Sequence, residues 1–268
     1  EIWIAPSFDH LFRFNQGAGE TFNDLMVDLA AESGYYELIY APVICIGHSA
    51  AASWPYYFAA WNSDRTLAAI SVSGQWPYVR SAAYAPDIWG DRNIDYIPCL
   101  ETMGEYESAD TWANEGLKER QQNPLIPLSM LSCPAEGHFA ASEKKIEYLS
   151  LYIRKIVQYR MPEKAPKNGT PVLKQIDPTK SGWLVDRWRK DLDMKAASAP
   201  VKEYKGNPAD AFWFFDEEMA RATEAYQSSY KGYKGQLIGY MQNGQKVIQN
   251  SSHLQVNLRF LPEDDGIT

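Results

Sequence analysis

Cysteine is scarce, with three residues in a chain of 268, none of them in a C-x-x-C pair. A disulfide framework is therefore excluded. Cys45, Cys99 and Cys133 each lie in an apolar run, where a free thiol behaves as a small buried hydrophobe. No run reaches 18 apolar residues, so no membrane-spanning helix is expected. Positive charge is also short. The 26 Lys and Arg against 34 Asp and Glu leave a net charge of −8, which argues against nucleic acid as a partner. The four histidines show no H-E-x-x-H or comparable spacing, so no metal is implied. A Walker loop and a G-x-G-x-x-G are both missing, and Gly17-Ala18-Gly19 is too short to cradle a phosphate. No internal repeat is present. With 45% apolar residues, collagen-like and wholly disordered classes fall away.

The first 160 residues alternate strand and helix signals. Short apolar runs at 2–5, 43–46, 67–72, 99–103 and 128–132 read as strands. Between them, Phe22, Leu25, Met26 and Leu29 recur at helical spacing over 20–33, a segment closed by Gly34. Further helices are expected over roughly 49–61, 111–120 (with Asp110 as N-cap) and 142–159. Strands separated by helices imply parallel pairing with right-handed crossovers, hence a covered α/β sheet. Residues 161–182 are rich in Pro and Lys and read as a linker or surface loop. Beyond it, a helix is expected over 207–226, with Asp216, Glu217 and Glu218 on a solvated face. A hairpin is expected across Asn243-Gly244 and an alternating strand over 253–260. The reading divides the chain into a core at 1–162 and a linker with an α+β extension at 163–268.

The informative string is Ile44-Cys45-Ile46-Gly47-His48-Ser49-Ala50-Ala51-Ala52, a buried strand running through G-x-S-x-A into a helix. A serine on such a sharp turn is pushed out at the carboxyl end of the sheet. Its neighbours two before and two after must be small, because the turn brings backbone against backbone. Gly47 and Ala51 meet that demand, and the Ala50 N–H is aimed where it can hold an oxyanion. A serine hydroxyl needs a base, and the base needs an acid to fix its tautomer. Downstream, Gly104-Glu105-Tyr106-Glu107 ends one predicted strand, and a second runs through Pro134 and Gly137 to His138. Ser49, Glu107 and His138 thus each lie past the carboxyl end of a different strand, where open α/β sheets place their sites. Glu107 is preferred as the acid, with Glu105 one residue off phase as the alternative. Glu101 is expected to pair locally within its strand. His48 is read as a packing or hydrogen-bonding residue, His10 as a loop-stabilising one, and His253 as structural.

These pieces resemble the α/β-hydrolase fold of serine hydrolases over roughly residues 1–160. The resemblance implies a mostly parallel sheet flanked by helices, and a Ser49–Glu107–His138 triad that cleaves carboxylic esters through an acyl-enzyme. It implies no cofactor. Glu107 fills the fourth position of the family's G-x-x-D motif after the seventh strand, where Glu is an accepted variant. Family members place several strands before the nucleophile, so the first two or three are expected to lie upstream of Glu1. The second oxyanion donor then comes either from the loop at 6–10 or from that missing part. Trp54 and Trp76 are expected to line the substrate cleft, Trp76 as one of a set of aromatic walls with Tyr78, Tyr84 and Trp89. Small-molecule or glycan esters, acetyl esters among them, are the expected substrates. A peptidase or acyltransferase of the same fold stays open, as does a non-catalytic carbohydrate-binding module using Trp183, Trp188 and Phe212 to Phe215 as a platform. The acidic, Trp- and Tyr-rich chain resembles secreted or periplasmic hydrolases, and its oligomeric state is not legible.

Overall fold

A computed structural model of the chain describes residues 13–78, 93–166, 168–190 and 192–229, and the backbone at 241–242 and 245–246. The expected strands at 2–5 and 253–260, and His10, His253, Tyr84 and Trp89, lie outside the described residues.

Four strands, β1 (Val43–His48), β2 (Thr66–Val72), β3 (Cys99–Gly104) and β4 (Leu128–Cys133), form a sheet in the order β1-β2-β3-β4. All three pairings are parallel. Helices lie between them: α1 (Ala18–Ser33) before β1, α2 (Trp54–Trp61) between β1 and β2, and α3 (Ala109–Gln122) between β3 and β4. Helix α4 (Glu143–Arg160) follows β4. This is the alternating α/β layering the sequence pattern implied. Its consequence for function is geometric, because parallel strands put all four carboxyl ends on one edge. The six residues of β3 and of β4 are all buried, whereas β1, at one end of the sheet among the described residues, is only partly so.

Several elements depart from expectation. The 49–61 stretch is a tight turn at Ser49–Ala51 followed by α2, not one continuous helix. Helix α3 starts earlier than expected, with Ser108 rather than Asp110 at its N-cap. Asp110 sits within the first turn, where its carboxylate meets Arg187 at 2.6 Å. The expected helix over 207–226 splits into a strand and a shorter helix. Residues Ala211–Phe214 form a buried strand, and the helix starts only at Glu217, because Asp216 caps it by accepting the Met219 N–H at 3.0 Å. Glu217 and Glu218 are exposed as expected, but Asp216 turns inward to Lys155 (2.6 Å) and Tyr159 (3.0 Å).

Beyond 162 the chain packs into the same hydrophobic core. A small antiparallel sheet joins β5 (Trp183–Asp186), β6 (Ala199–Pro200) and β7 (Ala211–Phe214). Helix α5 (Glu217–Ser228) follows it and meets both α4 and β4. The Ser129 hydroxyl in β4 donates to the Trp213 carbonyl in β7. Phe212, Trp213, Phe214 and Phe215 are buried, which removes them from any carbohydrate platform. The irregular 161–182 stretch is tied down by Arg160, whose buried guanidinium donates to the carbonyls of Thr66, Leu67 and Lys174. Further on, Met241–Gln242 (β8) and Gln245–Lys246 (β9) pair antiparallel, and the expected turn at Asn243-Gly244 lies outside the described residues.

Candidate active site

Ser49 follows β1 directly and adopts φ 57°, in the left-handed region that a side chain occupies only under constraint. The constraint is visible at Gly47. A Cβ there would stand 2.0 Å from the Ala51 carbonyl oxygen, so the turn closes only with glycine two residues before the serine. The Ala52 N–H then donates to the Ser49 carbonyl at 3.0 Å and starts the turn that leads into α2. Ala50 is exposed beside it.

The carboxyl ends of the other three strands converge on the same point. His138, in the loop after β4, places Nε2 2.7 Å from the Ser49 Oγ. Its Nδ1 faces Glu107 Oε1 in a short hydrogen bond. Glu107, in the turn after β3, is buried, with its side chain only 4% exposed. Its second oxygen accepts from the Gly104 N–H at 3.1 Å and from the Ser73 hydroxyl at 2.9 Å. Ser73 comes from the end of β2, so each strand of the sheet contributes one group. Ser73 (φ 50°), which donates to Glu107, and Ala135 (φ 58°), which donates to Glu105, are also left-handed. Backbone strain of this kind persists only where surrounding contacts over-determine it, and it concentrates at functional sites.

The two glutamates divide their tasks. Glu105 Oε2 accepts from the Ala135 N–H at 2.9 Å, and Oε1 meets Lys190 at 2.8 Å, so Glu105 braces the histidine loop and leaves the imidazole to Glu107. His48 donates from Nε2 to the His138 carbonyl at 2.9 Å, the hydrogen-bonding role expected of it. Glu101, fully buried in β3, accepts from the Gly74 N–H at 3.1 Å. Burial pushes its carboxyl well above the ordinary carboxylate range.

The two tryptophans fare differently. Trp76, expected on the cleft wall, is a core residue instead. It is fully buried, lies flat against Phe212 (ring centroids 5.7 Å apart, planes 5° apart) and donates from Nε1 to the Trp112 carbonyl. Gly116 in α3 makes the room, since a Cβ there would meet the Trp76 ring at 2.3 Å. Trp54 is partly buried at the start of α2, its ring 5.4 Å from Phe58. Beside the imidazole the structure offers Phe139, which no sequence signal singled out: it is exposed and packs edge-on to His138 at 4.5 Å. Only its position next to a candidate base could have pointed to it.

Chemically, a hydroxyl bonded to an imidazole whose other nitrogen faces a buried carboxylate has the parts of an activated nucleophile. Among known protein families, curated proteins and solved structures, none matches this chain. What is established is a parallel, helix-flanked α/β sheet with a Ser–His–Glu contact at its carboxyl edge. No helix among the described residues is long and apolar enough to cross a membrane.

Proposed function

We propose that the chain is a serine hydrolase of the α/β-hydrolase type that cleaves carboxylic esters. One observation carries this reading: His138 bridges Ser49 Oγ and the buried Glu107 carboxylate through its two ring nitrogens. Chain order Ser, Glu, His agrees with that family, and so does the left-handed serine held by Gly47. In the proposed reaction Ser49 Oγ attacks the ester carbonyl carbon while His138 Nε2 takes its proton. Glu107 keeps the other proton on Nδ1 and stabilises the imidazolium that forms. The Ala50 N–H donates to the developing oxyanion. Collapse expels the alcohol, which leaves with the proton from His138. Water, deprotonated by the same nitrogen, then adds to the acyl carbon, and the acid leaves as the bond to Ser49 Oγ breaks and Oγ takes the proton back from His138.

The substrate reading narrows once Trp76 and the Phe212–Phe215 run are in the core, because only the half-buried Trp183 and Trp188 are left of the expected carbohydrate platform. Small esters, acetyl esters included, are the proposed substrates, and a secreted or periplasmic setting is the proposed location. The test is hydrolysis of p-nitrophenyl acetate and butyrate, with fluorophosphonate labelling, by wild type, Ser49→Ala and Glu107→Ala. Ser49→Ala is expected to lose labelling and turnover. Glu107→Ala is expected to lose about 10³–10⁴-fold in kcat, as for a misoriented base. Turnover that survives Ser49→Ala, or a folded wild type that neither turns over nor labels, refutes the proposal.

A further inference from the structure

The loop that carries His138 is gripped from two sides. The acid turn holds one side, with the Ala135 N–H on Glu105 and the Tyr106 N–H on the Glu136 carbonyl at 3.0 Å. On the other side the Glu136 side chain turns into the interior. There its carboxylate meets Lys145 Nζ at 2.5 Å, both side chains being 8% exposed. Lys145, in the first turn of α4, also donates to the Ala140 carbonyl at 3.1 Å. One ammonium group thus holds the residue two before His138 and the residue two after it. The second Glu136 oxygen accepts from the Tyr226 hydroxyl of α5, with Ser142 Oγ at 3.4 Å beside it. Tyr226 is itself fixed in place, its ring edge-on to Tyr148 and beneath Lys144 Nζ at 4.0 Å, and its carbonyl accepts from that same ammonium.

We propose that Glu136, Lys145 and Tyr226 form a buried clamp that keeps His138 aligned between Ser49 and Glu107. Helix α5 is then part of the catalytic scaffold. Physical reasoning favours this over a purely stabilising role. A buried ion pair contributes little net stability, since desolvation offsets the attraction, and apolar residues of similar volume serve at least as well. What such a pair supplies is a defined geometry at its two anchor points. Alignment of a general base is sensitive to that geometry, with a displacement of about 1 Å costing on the order of 100-fold in rate. Burial holds the Tyr226 hydroxyl well above its ordinary pKa, so it remains a donor throughout the neutral range.

This proposal rests on the hydrolase reading, and kinetics on p-nitrophenyl butyrate separate the two. Tyr226→Phe keeps the ring and removes only the donor. It is expected to lower kcat about tenfold, the worth of one hydrogen bond to a charged group, with KM unchanged. In a Glu107→Gln background the same change is expected to cost less than about twofold, because groups that act as a unit are not additive. A merely structural role predicts the same factor in both backgrounds and overturns the clamp. The double variant Glu136→Gln/Lys145→Met removes both charges, leaves neither unpaired, and is expected to fold with kcat at least as low. Wild-type kcat in either folded variant, while Ser49→Ala is inactive, overturns the clamp alone. Absence of Ser49-dependent turnover in wild type overturns both proposals.

Discussion

Glu101 offers a test of the fold's electrostatics that is independent of catalysis. It stands in β3 with no exposed surface, one oxygen accepting from the Gly74 N–H at 3.1 Å. Burial holds its pKa well above the ordinary 4.5, against Ser71, the Gly74 N–H and Trp112, which favour the charged form, while Glu107 raises it further. The unfolded chain ionises this group as the pH passes 4.5, whereas the folded chain keeps the proton. Stability is thus unaffected below 4.5 and falls above it, by about 1.4 kcal/mol per pH unit, until the folded group ionises too. Glu101→Gln keeps an acceptor for Gly74 and cannot ionise. At pH 4 it is expected to match wild type. At pH 7 it is expected to be the more stable of the two, with the higher Tm, and the gap is expected to widen as the pH rises from 4.5. Thermal and urea unfolding followed by circular dichroism from pH 4 to pH 8 gives the difference curve. A difference that does not grow with pH, or a Gln variant less stable than wild type at pH 7, refutes the reasoning. Ester turnover serves as the control, expected within about twofold of wild type because Glu101 bonds neither Ser49 nor His138.

Two further outcomes follow from the site. Gly47→Ala puts a methyl carbon 2.0 Å from the Ala51 carbonyl oxygen. Fluorophosphonate labelling is expected to be lost and Tm to fall by about 5–10 °C, as for overpacking by a few kcal/mol. Ser73→Ala removes the 2.9 Å donor to Glu107 and leaves the Gly104 N–H as its other partner. A hydrogen bond to a charged group contributes about 1.5–3 kcal/mol, so steady-state kinetics should show kcat/KM reduced about tenfold with KM unchanged.

What was legible in the sequence was local or periodic. Gly47, Ser49 and Ala51 sit within five residues, and the sterics that join them are complete within that span. The expectation that acid and base follow strand ends needed only the apolar runs of β3 and β4. The choice between Glu105 and Glu107 was not settled by pattern, because both lie in one turn at Glu105–Glu107. The fold separates them by partner: one meets Ala135 and Lys190, the other His138. Trp76 misled because an aromatic in a Gly- and Pro-containing loop reads as a cleft wall. Its stacking partner Phe212 is remote in sequence, and the room for its ring is made by Gly116, a glycine within a helix. Likewise Ala211–Phe214 read as helix because a strand of four residues carries too little period to compete with its neighbours.

The residues on either side of 162 share one hydrophobic core for a reason already present in β4. An end strand of a parallel sheet needs cover on both faces, since such sheets are buried ones. All six residues of β4 are buried, two of them serines, and Ser129 finds its acceptor in the Trp213 carbonyl of β7. Helix α5 covers the same strand and sends Tyr226 to the carboxylate that anchors the histidine loop. The segment after the apparent linker therefore completes the burial of the last sheet strand and supports the loop leading from it. Core and site share this requirement: the strand that delivers His138 to Ser49 is buried only with residues 211–228 in place.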